Sequence, residues 1–252
     1  MVRFIMHGCN GKMGQTISRI VKEDQSAQIV AGVDKYLGIA NDYPVFDSIE
    51  KCDVDADVII DFSTKEMAME VVKLAIAHKK ALVCGTTGFT AEEFAEFEKA
   101  AEFIPMLYAA NTSKLVNVMN KLLELVAKTV GNELDIEILE MHDQWKKDAP
   151  SGTSKEMGEV MAHALGKELS EIKVHGREGD SPRVPGTIGY HSLRAGNISS
   201  SHTVFFGGMG ERLEITHHSY NWECFARGAC DCAAFLKDKA AGFYTIKDVL
   251  NL

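Results

Sequence analysis

The chain has 252 residues, 46% of them hydrophobic, so it is long enough to bury a sizeable core and is not expected to be disordered. Its 36 acidic residues outnumber 27 basic ones, and the net charge of -9 argues against a nucleic-acid partner. Because no secretory signal opens the chain and no apolar run reaches membrane-spanning length, we expect a soluble cytoplasmic protein without a membrane partner.

The first hundred or so residues alternate short apolar runs with helical patterns. Strands are predicted at 2–7, 29–34, 56–62, 81–84 and 106–109, with helices that begin at Gly11, Lys65 and Ala91. Alternation of this kind implies right-handed crossovers and a parallel sheet covered on both faces. The N-terminal part is therefore predicted to be a doubly wound α/β domain.

The pattern changes after an amphipathic segment at 113–130. A strand at 134–140 and a helix at 153–165 precede three strand-like runs at 187–194, 202–206 and 212–218. Glycine-rich turns separate these runs, which favours an antiparallel or mixed sheet with one face covered by helices. We predict a second, α+β domain over residues 114–222, after a first domain of residues 1–113. The sequence alone leaves open whether the helix predicted at 223–237 packs on the first domain.

A glycine-rich turn, Gly8-Cys9-Asn10-Gly11-Lys12-Met13-Gly14, joins the first predicted strand to the first helix. Glycines there let a pyrophosphate approach backbone N–H groups at a helix N-terminus. The GxxGxxG spacing differs from the usual GxGxxG, so the motif alone is only moderately specific. Asp34 follows Gly14 by 20 residues, where an acid can bind ribose hydroxyls, whereas the adjacent Lys35 could bind a 2′-phosphate. The turn favours NADH or NADPH without choosing between them.

Two further turns follow predicted strands, at the edge where a doubly wound sheet binds its ligand. They are Gly85-Thr86-Thr87-Gly88 and Ala109-Ala110-Asn111-Thr112. Both could line the nicotinamide and its ribose. Threonine and asparagine are also favoured as helix N-caps, and the two roles are compatible.

The chemically richest segment places His142, at the end of an apolar strand, four residues before Lys146 and shortly before Ser151-Gly152-Thr153. An imidazole can donate a proton, and an ammonium can stabilise developing negative charge. Ser-Gly-Thr at a helix N-terminus offers free N–H groups to a carboxylate. This segment therefore predicts a site for a small anionic substrate.

Neither the cysteines nor the remaining histidines suggest a metal or redox site. The six cysteines form no CxxC pair and are predicted to be reduced thiols. His217 and His218 are adjacent on a predicted strand and therefore point to opposite faces, which is poor geometry for shared ligation. We predict no metal site.

Further short motifs are spread over nearly the whole chain. They are Asp61-Phe62-Ser63, Gly85 to Phe89, Ala110 to Ser113, Asn117-Val118-Met119, Asp148 to Thr153, Arg194-Ala195-Gly196, His202-Thr203-Val204, Gly210 to His217 and Phe225 to Ala229. Together with the glycine turn, they resemble the dihydrodipicolinate reductases, also called 4-hydroxy-tetrahydrodipicolinate reductases, of bacterial lysine and diaminopimelate synthesis.

The resemblance implies a Rossmann domain completed by residues 223–252, a central substrate domain, and a homotetramer assembled through the substrate-domain sheets. It implies that His142 donates a proton, that Lys146 stabilises charge, and that Gly152 and Thr153 hold a carboxylate of a small dicarboxylate substrate. The implied reaction removes water from a cyclic 4-hydroxy imino diacid, delivers hydride to C4 and protonates C3, giving tetrahydrodipicolinate. The implied contacts of NADH or NADPH are Gly8, Cys9, Asn10, Gly11, Lys12, Met13, Asp34, Lys35, Gly85, Thr86, Thr87, Ala109, Ala110, Asn111 and Thr112.

Three positions depart from the family pattern. Asp143 stands where well-known members have a second histidine, and a carboxylate there should repel a dicarboxylate unless it turns away or orients His142. No substrate role is therefore assigned to Asp143. Thr64 replaces an arginine of some relatives, and Thr112 stands where an aromatic residue is common. Both changes leave the preference between NADH and NADPH open.

Two alternatives remain beside the reductase. Another amino- or imino-acid dehydrogenase should lack the combination of His142, Lys146 and Ser-Gly-Thr. A dinucleotide sensor without catalysis should have lost His142 or Lys146. Because the chain retains all of these features, the sequence favours the reductase.

Overall fold

The computed structural model describes residues 1–252 and divides them into two compact units. The first unit comprises Met1–Lys114 and Trp222–Leu252, and the second comprises Leu115–Asn221. No helix combines the length and the hydrophobicity that a membrane crossing requires.

The first unit is built on a seven-stranded sheet in which every pair of neighbours is parallel, in the order β12-β6-β5-β4-β1-β2-β3. Its strands are β1 Val2–His7, β2 Ala27–Val33, β3 Val45–Phe46, β4 Val58–Asp61, β5 Ala81–Cys84, β6 Pro105–Tyr108 and β12 Gly242–Tyr244. Its helices are α1 Lys12–Glu23, α2 Lys65–Ala77, α3 Ala91–Ala100, α7 Glu223–Leu236 and α8 Ile246–Leu250.

Helices cover both faces of this sheet, because alternate strand residues point to opposite sides. Phe4 and Met6 of β1 belong to a buried cluster with apolar residues of α1 and α7. Ile5, between them, belongs to the opposite cluster with residues of α2 and α3. The doubly wound fold is confirmed. The C-terminal helix α7 packs on this unit, which answers the question that the sequence left open.

The second unit contains a mixed five-stranded sheet in the order β11-β10-β7-β9-β8. Its strands are β7 Asp135–His142, β8 Lys173–His175, β9 Ile188–Arg194, β10 Ser200–Gly207 and β11 Arg212–Ser219. Its helices are α4 Lys114–Val130, which starts in the first unit, α5 Gly152–Ala164 and α6 Leu169–Ile172. Strand β10 runs antiparallel to β7 and β11, whereas β9 is parallel to β7 and β8.

Helices α4 and α5 cover one face of this second sheet. Ile136 and Ile138 of β7 pack there with Leu123 of α4 and Met157 of α5. The mixed sheet with one helix-covered face agrees with the sequence prediction. The sequence missed β3, β8 and β12, which have only two or three residues each and so are too short to show a period.

Candidate active site

The glycine turn of the first unit has the geometry of an anion cradle. Gly8 adopts φ +81°, and a Cβ there would lie 2.4 Å from the Phe62 carbonyl oxygen. A Cβ on Gly14 would lie 2.3 Å from the carbonyl oxygen of Gly8, so helix α1 packs tightly against the turn. Gly11 caps α1 without a side-chain hydrogen bond, and no acid occupies the first helical turn. The turn therefore fits a pyrophosphate, since backbone N–H groups at a positive helix end remain available.

Asp34 lies beside this turn, immediately after β2. Its carboxylate accepts hydrogen bonds from the backbone N–H groups of Asn10, at 2.9 Å, and Tyr36, at 3.0 Å. A carboxylate has about four lone-pair sites, so two remain for ribose hydroxyls. Lys35 is exposed next to it. This position therefore presents a carboxylate acceptor and a cation side by side.

A buried polar cluster ties the neighbouring loops together. The carboxylate of Asp61, at the end of β4, lies 2.6 Å from His7 Nδ1. It also accepts hydrogen bonds from the Ser63 hydroxyl at 2.5 Å and the Thr86 hydroxyl at 2.7 Å. His7 and Asp61 are 1% and 0% exposed. Thr86 also accepts the Ser63 N–H at 3.0 Å. The Thr86 hydroxyl is therefore committed to holding the loop, and the side chain exposed to a ligand there is that of Thr87.

Several of the predicted nucleotide contacts have buried side chains. Cys9 and Ala109 are buried, and Thr112 is buried with its hydroxyl donating to the Phe225 carbonyl oxygen at 2.7 Å. These three residues can offer a ligand little more than their backbone. Ala110 is exposed.

In the second unit, His142 is oriented by a buried carboxylate. Its Nδ1 lies 2.5 Å from Oε2 of Glu140, which is completely buried two residues earlier on β7. Residues two apart on a strand point to the same face, so the two side chains meet naturally. Because an ionised carboxylate only accepts, Nδ1 carries a proton and Nε2 is left as the exchangeable position.

Arg194 of β9 completes the ionic arrangement. Its two terminal nitrogens each donate to one oxygen of Glu140 at 2.8 Å, and the Ser151 N–H donates to the same carboxylate at 3.2 Å. Burial opposes ionisation of Glu140, but hydrogen bonds from His142, Arg194 and Ser192 outweigh it and lower its pKa to about 2. Glu140 is therefore ionised at physiological pH.

The low pKa of Glu140 predicts a specific loss of acid stability. A carboxyl group whose pKa falls from 4.5 to about 2 on folding stabilises the native state by roughly 3 kcal/mol above pH 4.5. That contribution disappears as pH falls towards 2. We expect the stability difference between the wild type and Glu140→Gln, measured by urea unfolding, to shrink by about this amount between pH 5 and pH 2. A difference that does not change with pH would contradict the assignment.

Lys146 and Asp143 occupy the loop after β7. Lys146 Nζ lies 2.8 Å from Oδ1 of Asp148, and this hydrogen bond lowers the pKa of Asp148. The Asp143 carboxylate accepts the Trp145 N–H at 2.9 Å and so holds the turn of its own loop. His142 Nδ1–H donates to Glu140, so Glu140 rather than Asp143 orients the imidazole.

The N-terminus of α5 follows this loop. Ser151 is the N-cap and accepts the Ser154 N–H at 3.1 Å. Gly152 is exposed, and a Cβ on it would meet nothing within 4 Å. Neither the packing nor an unusual φ therefore requires glycine at position 152. Thr153, half-buried, follows in the first turn.

Models of one protein family match both parts of the chain. The model described as dihydrodipicolinate reductase, N-terminus, matches residues 2–112, and the model of its C-terminus matches residues 115–250. The chain belongs to the dihydrodipicolinate reductase family. The family predicted from the sequence is confirmed.

Relatives and solved structures agree with this membership. The 4-hydroxy-tetrahydrodipicolinate reductase of Syntrophus aciditrophicus is 40% identical over 100% of this chain and 99% of its own. That of Clostridium tetani is 39% identical over 100% and 98%. A dipicolinate-bound dihydrodipicolinate reductase from Paenisporosarcina sp. TG-14 superposes with a TM-score of 0.80 at 26% identity, over 97% of each chain.

More distant structures share the fold alone. A myo-inositol dehydrogenase from Corynebacterium glutamicum gives a TM-score of 0.62 at 11% identity, over 100% of this chain and 93% of its own.

The sequence missed three side chains that surround His142, namely Glu140, Arg194 and His202. Arg194 and His202 lay in motifs that supported the resemblance, but no role followed from them. Glu140 carried a usable signal, because a charged residue two positions before His142 interrupts an apolar strand on the same face. The pairing of β7 with β9 and β10, which brings the three together, is long-range and leaves no local pattern.

Proposed function

We propose that this protein reduces 4-hydroxy-tetrahydrodipicolinate to tetrahydrodipicolinate and water, using NADH or NADPH. The observation that carries the proposal is His142, whose Nδ1 is held by the buried Glu140 while α5, with Ser151 as its N-cap, begins nearby with the exposed Gly152. Relatives that are about 40% identical to this protein over its whole chain are named for this activity. A proton donor beside an anion receptor is the chemistry that this reaction requires.

The glycine turn and Asp34 are the proposed nucleotide contacts, with Lys35 beside any 2′-phosphate. The bound dinucleotide supplies a hydride. The turn contributes backbone N–H groups to the pyrophosphate, and Asp34 contributes carboxylate oxygens to the adenosine ribose. The Asp61 cluster holds Ser63 and Thr86 in fixed positions, so the loops after β4 and β5 are pre-organised at the edge of the sheet.

His142 is the proposed proton donor to C3 of the substrate ring. Glu140 keeps the proton on Nδ1, so donation occurs from Nε2, and the carboxylate stabilises the imidazolium before transfer. Lys146 would stabilise negative charge on the substrate. In the structure its ammonium is paired with Asp148, which is 55% exposed, so we expect the substrate to displace that partner.

Gly152 and Thr153 are the proposed receptor for one substrate carboxylate. They supply first-turn N–H groups at the positive end of α5. The adjacent Ser151 N–H already donates to Glu140, so the substrate carboxylate must be bound by the residues that follow Ser151 in the turn.

We also propose that the protein is a homotetramer assembled through the second sheet. The face of this sheet away from α4 and α5 carries Leu139, Met141 and Phe205, which are only half-buried, and Leu193, which is 47% exposed. Apolar side chains on a helix-free sheet face suit a contact with another copy of the chain. Light scattering after gel filtration measures the assembly, and a monomer at micromolar concentration would contradict it.

The cytoplasmic location stays a prediction.

A coupled assay tests the activity. The preceding synthase generates the substrate in place from pyruvate and aspartate semialdehyde, and the loss of reduced nicotinamide is followed in parallel with NADH and NADPH. We expect oxidation that depends on the synthase product, and the two rates rank the cofactors. No oxidation with either, from a folded protein that binds dinucleotide, would reject the reductase.

Substituting Gly152 by alanine separates binding from folding. Because a Cβ there meets open space and removes backbone freedom from the unfolded chain, we expect stability to stay constant or rise by up to about 1 kcal/mol. The same methyl group obstructs a carboxylate at the helix end, so KM for the substrate should rise about tenfold, which corresponds to about 1.4 kcal/mol. Glu159→Ala, on an exposed residue of the same helix, is the control. An unchanged KM would remove Gly152 from the receptor.

A further inference from the structure

His202 lies on β10 opposite Glu140 of β7 and points to the same face of the sheet. Its side chain is buried, with 2% of the residue exposed. The proposed reaction gives it no role. Its Nδ1 is buried without a hydrogen-bond partner, a defect that an apolar residue of similar size would avoid.

One side of the His202 ring is bonded to the N-cap of α5. His202 Nε2 lies 2.9 Å from the Ser151 hydroxyl oxygen. That hydroxyl donates its single proton to Ser154 Oγ at 3.1 Å. The Ser151 oxygen can then only accept from the imidazole, so Nε2 carries the hydrogen and donates it to Ser151. The bond fixes Ser151, and with it the start of the helix that holds Gly152.

The same ring also contacts His142. The two ring centroids are 5.2 Å apart and the planes meet at 78°, an edge-to-face arrangement. Burial, together with the nearby His142, lowers the pKa of His202 to about 3, so His202 is neutral at physiological pH. The His142 ring is thus held at Nδ1 by Glu140 and on its side by an uncharged ring.

We propose that His202 is a positioning residue that sets the distance between the proton donor His142 and the carboxylate receptor at the start of α5. The inference rests on the proposed function. A small, rigid ring substrate has a fixed separation between its carboxylate and the carbon that is protonated. The protein must match that separation, and a misplacement of about 1 Å can cost about 100-fold in rate. Two side chains contact both His142 and Ser151. Glu140 accepts from the Ser151 backbone N–H, whereas His202 contacts the Ser151 hydroxyl that caps the helix.

The chain offers a matched control in His217. This histidine of β11 pairs with His202 across the sheet, is 8% exposed, and also has a buried Nδ1 without a partner. No hydrogen bond joins it to His142 or Ser151. A substitution at His217 therefore reproduces the loss of a buried imidazole in the same sheet without touching either end of the proposed link.

The test compares His202→Leu, His202→Gln and His217→Leu. Leucine removes both contacts, whereas the glutamine amide can still donate to Ser151. We expect His202→Leu to lower kcat/KM for the substrate by about 10- to 100-fold, with KM for NADH and the melting temperature close to those of His217→Leu. His202→Gln should recover KM for the substrate but not kcat, because it restores the helix end and not the ring contact. His217→Leu should keep wild-type kinetics.

Two results would overturn the inference. Wild-type kcat and KM in both His202 variants would make His202 a structural residue, and equal losses in His202→Leu and His217→Leu would assign the effect to the sheet as a whole. If His202→Leu does not fold, wild-type kinetics in His202→Gln alone is the overturning result.

Calorimetry with dipicolinate separates this test from the proposed function. A wild type that binds dipicolinate without turnover rejects the reaction, and weaker binding by His202→Leu than by His217→Leu still supports the link. Absence of dipicolinate binding to the wild type rejects both.

Discussion

Replacing His142 by glutamine is expected to lower kcat by about 10²- to 10⁴-fold, the usual contribution of a general acid. Glutamine can still donate an amide hydrogen to Glu140, so the buried carboxylate keeps a partner and the fold should persist. Glutamine cannot release a proton at neutral pH, so protonation of the substrate must then come from water. The measurement is kcat in the coupled assay, together with Kd for NADH from its fluorescence, which should stay near the wild-type value.

His163→Gln is the matched control, because His163 is an exposed histidine on α5 in the same unit. It should leave kcat unchanged. A His142→Gln enzyme with wild-type turnover would remove His142 from the proton step. Loss of NADH binding in parallel with kcat would instead indicate a general structural defect.

The distance in sequence between His142 and the residues Arg194 and His202 explains why the sequence predicted the reacting group but not the arrangement that supports it. His142 and Lys146 stood out because their side chains carry the chemistry and lie in one short segment with the Ser-Gly-Thr turn. Part of the support comes from strands that are distant in sequence, since Arg194 on β9 is 54 residues from Glu140 and His202 lies on β10. A bidentate contact between residues so far apart in sequence depends on the register of β7 with β9, which no local pattern encodes.

The first unit shows the same division between local and long-range features. The doubly wound fold followed from alternating strands and helices, and the glycine turn was recognised because its residue types are required by the backbone itself. The Asp61 cluster was not foreseen as a unit. Its members end β1, β4 and β5, or lie in the loops after them, and they meet only because parallel strands bring their carboxyl ends to one edge. For Thr86, the hydroxyl donates to Asp61, which leaves the backbone of this residue for the ligand contact that the sequence predicts; that contact stays a prediction.

Removing the Arg194 side chain should produce the largest loss of stability. Arg194→Met leaves Glu140 buried without its bidentate partner, and breaking a buried ion pair in this way costs about 3–5 kcal/mol. The measurement is urea unfolding followed by circular dichroism at neutral pH. Lys121→Met is the control. Its pair with Glu124 on α4 is well exposed, with side chains 54% and 40% accessible, and should contribute less than about 1 kcal/mol.

The double variant Glu140→Gln/Arg194→Met decides what the pair contributes to folding. Once the carboxylate is neutral, arginine is no longer needed to balance a buried charge, so we expect the double variant to be more stable than Arg194→Met alone. Its kcat should nevertheless remain low, because His142 has lost the carboxylate that fixes its tautomer. Arg194→Met within about 1 kcal/mol of the wild type would contradict the assignment of Arg194 as the counter-ion that Glu140 needs in its buried position.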